Sequence, residues 1–123
     1  MAVILIIDDS AIQRKITRYK IQKEGYEVIE AMSGAEGMQI ITSQTPDCIV
    51  LDLIMPGMDG IEFLKAISEK GYGLPIIVMS ADLQPKRRKR CLDLGVCDFI
   101  RKPPEEEELT NAIKKALDAK QEI

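Results

Sequence analysis

The sequence predicts an α/β fold in which five parallel strands alternate with five helices in one doubly wound sheet. Short apolar runs alternate along the chain with amphipathic stretches, an order typical of a parallel sheet with helices on both faces. The strongest runs are apolar at consecutive positions, as in strands that are buried on both sides. The length of 123 residues suits one domain, which we expect to span residues 1–123.

We expect a strand at each apolar run. The strongest runs lie at residues 3–7, 48–51 and 75–79, and weaker ones lie at residues 28–29 and 97–100. The first run has no basic segment before it and is too short to span a bilayer. We therefore expect neither a signal peptide nor a membrane helix.

Helix start signals follow several of these runs. Three capping residues are each followed, three positions later, by a glutamate or glutamine: Ser10 and Gln13, Ser33 and Glu36, and Asp59 and Glu62. In the first helix Ile12, Ile16 and Tyr19 fall on one face, as in a helix that packs an apolar stripe on a core. Gly25 is a plausible stop for this helix.

The last helix has the clearest pattern. Its apolar residues recur at the spacing of one helix face: Leu109, Ala112, Ile113, Ala116 and Leu117. The acid run from Glu105 to Glu108 should form the first turn, where carboxylates favour the positive end of the helix dipole. We interpret this run as a solvated helix start and not as a binding tail.

The amino-acid composition argues against several classes of function and site. The net charge of −3 argues against a nucleic-acid role for the whole chain. The chain has an odd number of cysteines, Cys48, Cys91 and Cys97. It has no C-x-x-C motif and no histidine. We therefore expect neither a disulfide framework nor a zinc site. We expect instead that the thiols are reduced and mostly buried, in a cytoplasmic protein.

Polar residues follow four of the predicted strands, at the sheet edge where ligands of parallel sheets bind. Asp8 and Asp9 end the first strand, Asp52 ends the third, Ser80 ends the fourth and Lys102 follows the fifth. If the first and third strands are neighbours, three carboxylates converge, and their repulsion favours a bound cation. Carboxylates without histidine or cysteine suit a hard cation, so we expect Mg²⁺.

These groups can carry phosphoryl chemistry. A carboxylate such as Asp52 can attack phosphorus to give an aspartyl phosphate. Lys102 supplies a positive charge for a phosphoryl oxygen, and Ser80 supplies a hydroxyl donor. Taken singly, each residue is commonly a cap, a turn residue or a solvated lysine, and it is their joint occurrence at successive strand ends that indicates a site.

The same residues resemble the receiver domain of two-component response regulators. The resemblance spans nearly the whole chain and rests on four motifs: Asp8-Asp9-Ser10, Asp52 followed by Met55-Pro56-Gly57-Met58-Asp59-Gly60, Ser80-Ala81, and Lys102-Pro103. It implies a flavodoxin-like sheet with strand order 2-1-3-4-5. The bond between Lys102 and Pro103 is typically cis in this family.

The resemblance assigns a role to each matching residue at the acidic site. Asp52 aligns with the phospho-accepting aspartate. Asp9 aligns with the direct metal ligand, and Asp8 aligns with the acid that holds a metal-bound water. With Asp52, the backbone carbonyl of Ile54 completes the family's metal-binding set. Lys102 aligns with the lysine that contacts the phosphoryl group.

Two further residues match the family's switch. Ser80 matches the switch hydroxyl, and Phe99 matches the switch aromatic, whose ring should stay buried. Phosphorylation would draw Ser80 and Lys102 inward, and Phe99 would fill the space that Ser80 leaves. Ile54 and Asp82 flank the path of the water that hydrolyses the phosphate, so they bear on its lifetime.

The resemblance implies a histidine kinase or phosphotransfer protein as the phosphodonor. It also implies an output protein that binds the face made by the fourth helix, fifth strand and fifth helix. The basic run at residues 86–90 lies in that fourth helix. A solvated face or contacts with acidic proteins explain this run better than nucleic acid does, because no aromatic residue interrupts it. We expect no effector domain within residues 1–123, which fits a stand-alone receiver or one cut from a longer regulator.

Three alternatives remain at this stage. A magnesium-dependent aspartyl-phosphate phosphatase acting on small molecules shares the nucleophile, lysine and metal, but usually has its acceptor on the first strand. A flavodoxin has the same sheet, but Asp8 and Asp9 would repel a flavin phosphate. A degenerate receiver that is never phosphorylated would not need the full residue set.

Overall fold

The computed structural model describes residues 1–53, 60–81, 84–105 and 107–121. The strands in this part of the chain are β1 (Val3–Ile7), β2 (Glu27–Ala31), β3 (Cys48–Leu51), β4 (Ile76–Ser80) and β5 (Asp98–Arg101). The helices are α1 (Ala11–Lys23), α2 (Gly34–Ser43), α3 (Gly60–Lys70), α4 (Pro85–Asp93) and α5 (Glu108–Gln121). All strand pairs are parallel, in the order β2-β1-β3-β4-β5, which confirms the predicted fold class.

Some predicted features lie outside the described residues. These are the cap at Asp59, the metal-ligand carbonyl of Ile54, and Asp82 on the path of the hydrolytic water. The bond between Lys102 and Pro103 is described, and it is cis as the resemblance implies.

The sheet separates two apolar layers, because successive side chains on a strand point to opposite faces. On one face Ile4, Ile6 and Val50 pack with residues of α1 and α5 such as Ile113. On the other face, residues including Ile7, Leu51 and Val78 pack with residues of α2, α3 and α4 such as Phe63 and Cys91. The central strands β1, β3 and β4 are therefore covered on both sides, as their uninterrupted apolar runs predict.

The predicted apolar face of α1 is wrong. Ile12, Ile16 and Tyr19 are 73%, 46% and 69% exposed, and the buried residues of the helix are Thr17 and Ile21. The inward face is instead the side of Thr17 and Ile21, where Ile21 is fully buried in the apolar layer that contains Ile4. Arg14 and the exposed Arg18 form ion pairs with Glu30 of β2, at 3.4 Å and 2.5 Å.

The capping signals of the first two helices are confirmed. The Ser10 hydroxyl accepts the Gln13 backbone N–H at 3.2 Å, and the Ser33 hydroxyl accepts the Glu36 N–H at 3.1 Å. Gly25 follows the α1 cap with a φ of +94°, a left-handed conformation that favours glycine.

The prediction for the start of α5 is corrected in part. The helix begins at Glu108, so Glu105 and Glu107 precede it and do not form its first turn. The Glu108 carboxylate accepts the Glu105 backbone N–H at 3.3 Å and closes the turn ahead of the helix. The apolar face of α5 is confirmed, since Leu109, Ala112, Ile113 and Ala116 are buried and Leu117 is partly buried.

Gly60, the first residue of α3, lies in close contact with Leu53, which follows β3. A Cβ atom at this position would lie 2.6 Å from the Leu53 Cα, and the Gly60 N–H donates to the Leu53 carbonyl at 2.8 Å. We expect Gly60→Ala to lower the free energy of unfolding by about 1–3 kcal/mol, because backbone must move to admit the methyl group.

Urea denaturation of the Gly60→Ala variant measures this effect, with Gly37→Ala as the matched control. At Gly37 the nearest atom to an added Cβ is Ile7 Cδ1, also at 2.6 Å, which is the end of a side chain and not backbone. We therefore expect the control to lose less stability. Equal losses in the two variants would show that the backbone contact at Leu53 is not the cause.

The three thiols differ in accessibility. Cys48 and Cys91 are buried, as predicted for most of the cysteines, but Cys97 is exposed, and none of the three forms a disulfide. Burial raises the pKa of the Cys91 thiol and so lowers its thiolate fraction.

A thiol-reactive disulfide reagent should therefore modify one thiol of the native protein rapidly. We expect Cys97→Ser to remove that fast phase, and denaturant to expose the other two thiols. Fast reaction of two thiols in the native protein would contradict the burial of Cys48 and Cys91.

Candidate functional site

Three backbone hydrogen bonds continue the sheet one residue past its strands and fix the predicted site residues. The Asp52 N–H donates to the Ile7 carbonyl at 2.9 Å, and the Asp8 N–H donates to the Ala31 carbonyl at 3.1 Å. The Lys102 N–H donates to the Ser80 carbonyl at 3.0 Å. Sheet register therefore brings the ends of β1, β3, β4 and β5 to one edge.

An acidic cluster lies at this edge. One carboxylate oxygen from each of Asp8, Asp9 and Asp52 falls within 4.8 Å of the others. Asp8 is buried, Asp52 is partly buried and Asp9 is exposed. The set contains only oxygen ligands and is open on the side of Asp9, so it fits a hard, partly hydrated cation such as Mg²⁺.

Lys102 places its ammonium group among these carboxylates. Its Nζ lies 2.8 Å from Asp8 Oδ2 and 3.5 Å from Asp52 Oδ2. The side chains of Lys102, Asp8 and Asp52 are only 14%, 5% and 12% exposed, so water screens this attraction weakly. Lys102 thus offsets part of the repulsion within the cluster.

Asp8 has hydrogen-bond partners on both of its carboxylate oxygens. Oδ2 accepts from Lys102, and Oδ1 accepts the Ser10 backbone N–H at 2.9 Å. The Arg14 guanidinium also donates to the Asp8 backbone carbonyl at 2.7 Å. Both carboxylate oxygens of Asp8 are therefore engaged within the chain. The roles of Asp9 and Asp52 as direct metal ligands, which the resemblance implies, stay predictions.

Ser80 and Phe99 lie on the same side of the sheet. Phe99 is opposite Val78 in the β4–β5 register, and Ser80 is two residues beyond Val78 on β4. Ser80 is fully buried, whereas the Phe99 ring is only partly buried against the layer that contains α4. The expectation that the Phe99 ring stays buried is therefore corrected: Phe99 is only partly buried in this arrangement.

Sequence reasoning missed two arginines near these groups. Arg14 supports Asp8, and Arg88 of α4 lies with its Cζ 5.3 Å from the centroid of the Phe99 ring. For Arg14 the sequence held a weak signal: it lies four residues after the Ser10 cap, and residues at this spacing are neighbours on a helix surface. The basic run of α4 did not reveal which of its members faces the ring.

Comparison with known sequences agrees with this geometry. Residues 4–114 match the sequence model of the response regulator receiver domain. The chain belongs to this family. Sporulation initiation phosphotransferase F of Bacillus subtilis is 34% identical to this receiver over 117 residues, which cover 95% of the receiver and 94% of the relative.

Other relatives carry the similarity within longer proteins. A protein-glutamate methylesterase/protein-glutamine glutaminase of Koribacter versatilis is 43% identical over 111 residues, which cover 87% of the receiver and 30% of that protein. Response regulator MprA of Mycolicibacterium vanbaalenii is 36% identical over 114 residues, covering 93% of the receiver and 49% of that protein. The receiver thus spans less than half the length of each of these two relatives.

Solved structures show the same fold. A CheY-like receiver domain protein of Methanospirillum hungatei superposes with a TM-score of 0.94 at 27% identity, covering 99% of this receiver and 98% of that chain. Chemotaxis protein CheY4 of Vibrio cholerae superposes with a TM-score of 0.89 at 29% identity, covering 95% and 99%. Among the described helices of the receiver, none combines the length and hydropathy of a membrane span.

Proposed function

We propose that Asp52 accepts a phosphoryl group from a phosphohistidine on a histidine kinase or phosphotransfer protein. The observation that carries the proposal is the placement of Lys102 between Asp8 and Asp52, beside the exposed carboxylate of Asp9. This arrangement holds an oxygen nucleophile, a cation for the incoming anion and a set of hard ligands within one small volume.

In the proposed reaction an Asp52 carboxylate oxygen forms a bond to phosphorus while the phosphorus–nitrogen bond of the donor breaks. The imidazole nitrogen leaves with the electron pair, and Asp52 becomes a mixed carboxylic–phosphoric anhydride. Lys102 stabilises the charge on the phosphoryl oxygens, and the buried backbone ladder holds Asp52 in place. Bound by Asp9 and Asp52, with Asp8 holding one of its waters, Mg²⁺ would supply further charge neutralisation.

The new charge on Asp52 is proposed to shift the receiver between two packings. Lys102 moves from the carboxylates toward the phosphoryl group, and the Ser80 hydroxyl donates to a phosphoryl oxygen. Phe99 then occupies the space beside β4 that Ser80 has left. The change alters the surface of α4, β5 and α5, which we propose binds an output protein.

Residues 1–123 are proposed to act as one regulatory phospho-acceptor that catalyses only its own phosphorylation and dephosphorylation. An odd number of cysteines without a C-x-x-C motif favours a reducing compartment, and we propose the cytoplasm.

The metal requirement tests the proposal through Asp9. We expect Asp9→Asn to weaken Mg²⁺ binding at least about tenfold, because it removes one charged ligand of a small set. Calorimetric titration with Mg²⁺ measures the affinity, and intact mass after acetyl phosphate treatment measures phosphorylation at fixed Mg²⁺.

Asp118→Asn is the matched control, because Asp118 is an exposed acid on α5 outside the cluster. It should leave both measurements unchanged. Equal Mg²⁺ affinity in the two variants, or an unchanged phosphorylation rate after chelation of the metal, would refute the metal role of Asp9.

A further inference from the structure

Arg88 contacts the proposed switch residue Phe99 from outside the phosphorylation site. Its guanidinium Cζ lies 5.3 Å from the ring centroid, within the range of a cation–π interaction. Within residues 1–53, 60–81, 84–105 and 107–121 this is the one such pair. The contact therefore joins α4 to β5 at a specific position in the basic run.

The packing of α4 places Arg88 over the ring. Cys91 lies three residues later on the same helix face and is fully buried in the apolar layer that Phe99 borders. The buried Cys91 fixes the rotation of α4, so Arg88 faces the same layer but stays at its exposed rim. On the side away from Arg88 the Phe99 ring borders the sheet, and Ser80 of this sheet is fully buried.

The two positions of the ring thus have different partners. In the arrangement seen here the partly buried ring contacts the exposed Arg88 guanidinium. If the ring moves inward to the place of the buried Ser80, it moves away from the exposed rim where Arg88 lies. The cation–π contact is then made in one packing and lost in the other, so it biases the equilibrium between them.

We propose that Arg88 is a positioning residue that holds the Phe99 ring in its outer position and opposes activation of the receiver. This inference rests on the proposed role of Phe99 as the switch aromatic. The energy of an exposed cation–π pair corresponds to a roughly two- to fivefold change in an equilibrium constant. Loss of Arg88 should therefore favour the inner position by about that factor.

The first test observes the ring directly. The chain has two phenylalanines and no tryptophan, so labelling with 4-fluorophenylalanine gives two ¹⁹F signals. Phe63 is fully buried and serves as the internal reference. Without any phosphate mimic, we expect Arg88→Gln to move the Phe99 signal toward the position that it takes in the wild type with Mg²⁺ and beryllofluoride. Arg88→Lys, which keeps a cation, should remain closer to the wild type.

Lys89→Gln is the matched control, since it removes one exposed positive charge from the adjacent position of the same helix. Its Phe99 signal should stay at the wild-type position. A Phe99 signal in Arg88→Gln that stays with the wild type, or moves away from the beryllofluoride-bound position, would overturn the proposal.

The second test measures the affinity for beryllofluoride in the presence of Mg²⁺. We expect Arg88→Gln to bind it roughly two- to fivefold more tightly than Lys89→Gln does, because the two variants have the same net charge and differ in the ring contact. Equal or weaker binding by Arg88→Gln would overturn the role of Arg88. A wild type that binds no beryllofluoride at Asp52 would refute the proposed function and this inference together, a result distinct from failure of Arg88 alone.

Discussion

Replacing Asp52 by asparagine is expected to abolish phosphorylation of the receiver by acetyl phosphate in the presence of Mg²⁺. The asparagine amide keeps the shape of the side chain but is a poor nucleophile toward phosphorus. The backbone of residue 52 is fixed by its bond to the Ile7 carbonyl, so the fold should be retained. Intact mass after treatment measures the gain of one phosphoryl group in the wild type and its absence in the variant.

Asp93→Asn is the control for this experiment, because Asp93 is an exposed acid at the end of α4. It should be phosphorylated at the wild-type rate. Circular dichroism should show that both variants are folded. A folded Asp52→Asn variant that still gains a phosphoryl group on its native structure would show that the acceptor is another residue.

Replacing Lys102 by methionine is expected to change metal binding and phosphorylation in opposite directions. The ammonium group lies 2.8 Å from Asp8 and 3.5 Å from Asp52, so its loss leaves the carboxylates more negative and should tighten Mg²⁺ binding. The same loss removes a cation that stabilises the transferring phosphoryl group. We expect the phosphorylation rate to fall about 100- to 1000-fold, the scale seen when one preorganised donor is removed.

The metal-free Lys102→Met variant should also be less stable. Removing one partner of a poorly exposed ion pair lowers the free energy of unfolding by about 3 kcal/mol, and bound Mg²⁺ should restore part of it. Arg101→Met is the control, because Arg101 is the exposed neighbour on β5. General damage to the fold would weaken both Mg²⁺ binding and phosphorylation, and that outcome would contradict the role given to Lys102.

The sequence was most informative where one local pattern decides the structure. Residues 3–7 and 48–51 form strands β1 and β3 at the predicted bounds, because a short run of buried branched residues has few alternatives. The weaker run at residues 28–29 understated β2, which extends over Glu27–Ala31. β2 is an edge strand whose glutamates interrupt the apolar pattern that marks the central strands.

The candidate site was largely predictable for the same reason. Asp8, Asp9 and Asp52 directly follow recognisable strands, and the parallel register brings strand ends together. Lys102 follows a weaker run but joins them through its ion pairs. The roles given to Ile54 remain a prediction, since this residue lies outside the described part of the chain.

Contacts that depend on how helices rotate could not be predicted. The apolar residues Ile12 and Ile16 suggested one inward face for α1, but the ion pairs of Arg14 and Arg18 with Glu30 accompany another. Similarly, the five consecutive basic residues of α4 do not indicate which of them faces the sheet. Arg88 contacts Phe99 because Cys91, three residues later, lies in the core. Helix rotation is a tertiary property, and periodicity alone leaves it open when both faces of a helix carry some apolar residues.

The most direct test of the central proposal is to locate the modified residue. The wild-type receiver is treated with acetyl phosphate and Mg²⁺, then with borohydride, which reduces an aspartyl phosphate to homoserine, and the site is found by tandem mass spectrometry. We predict homoserine at position 52 and at no other aspartate, and none when the metal is chelated beforehand. Homoserine at position 8 or 9 with Asp52 intact, or none at any position, would contradict the assignment of Asp52 as the phosphoryl acceptor.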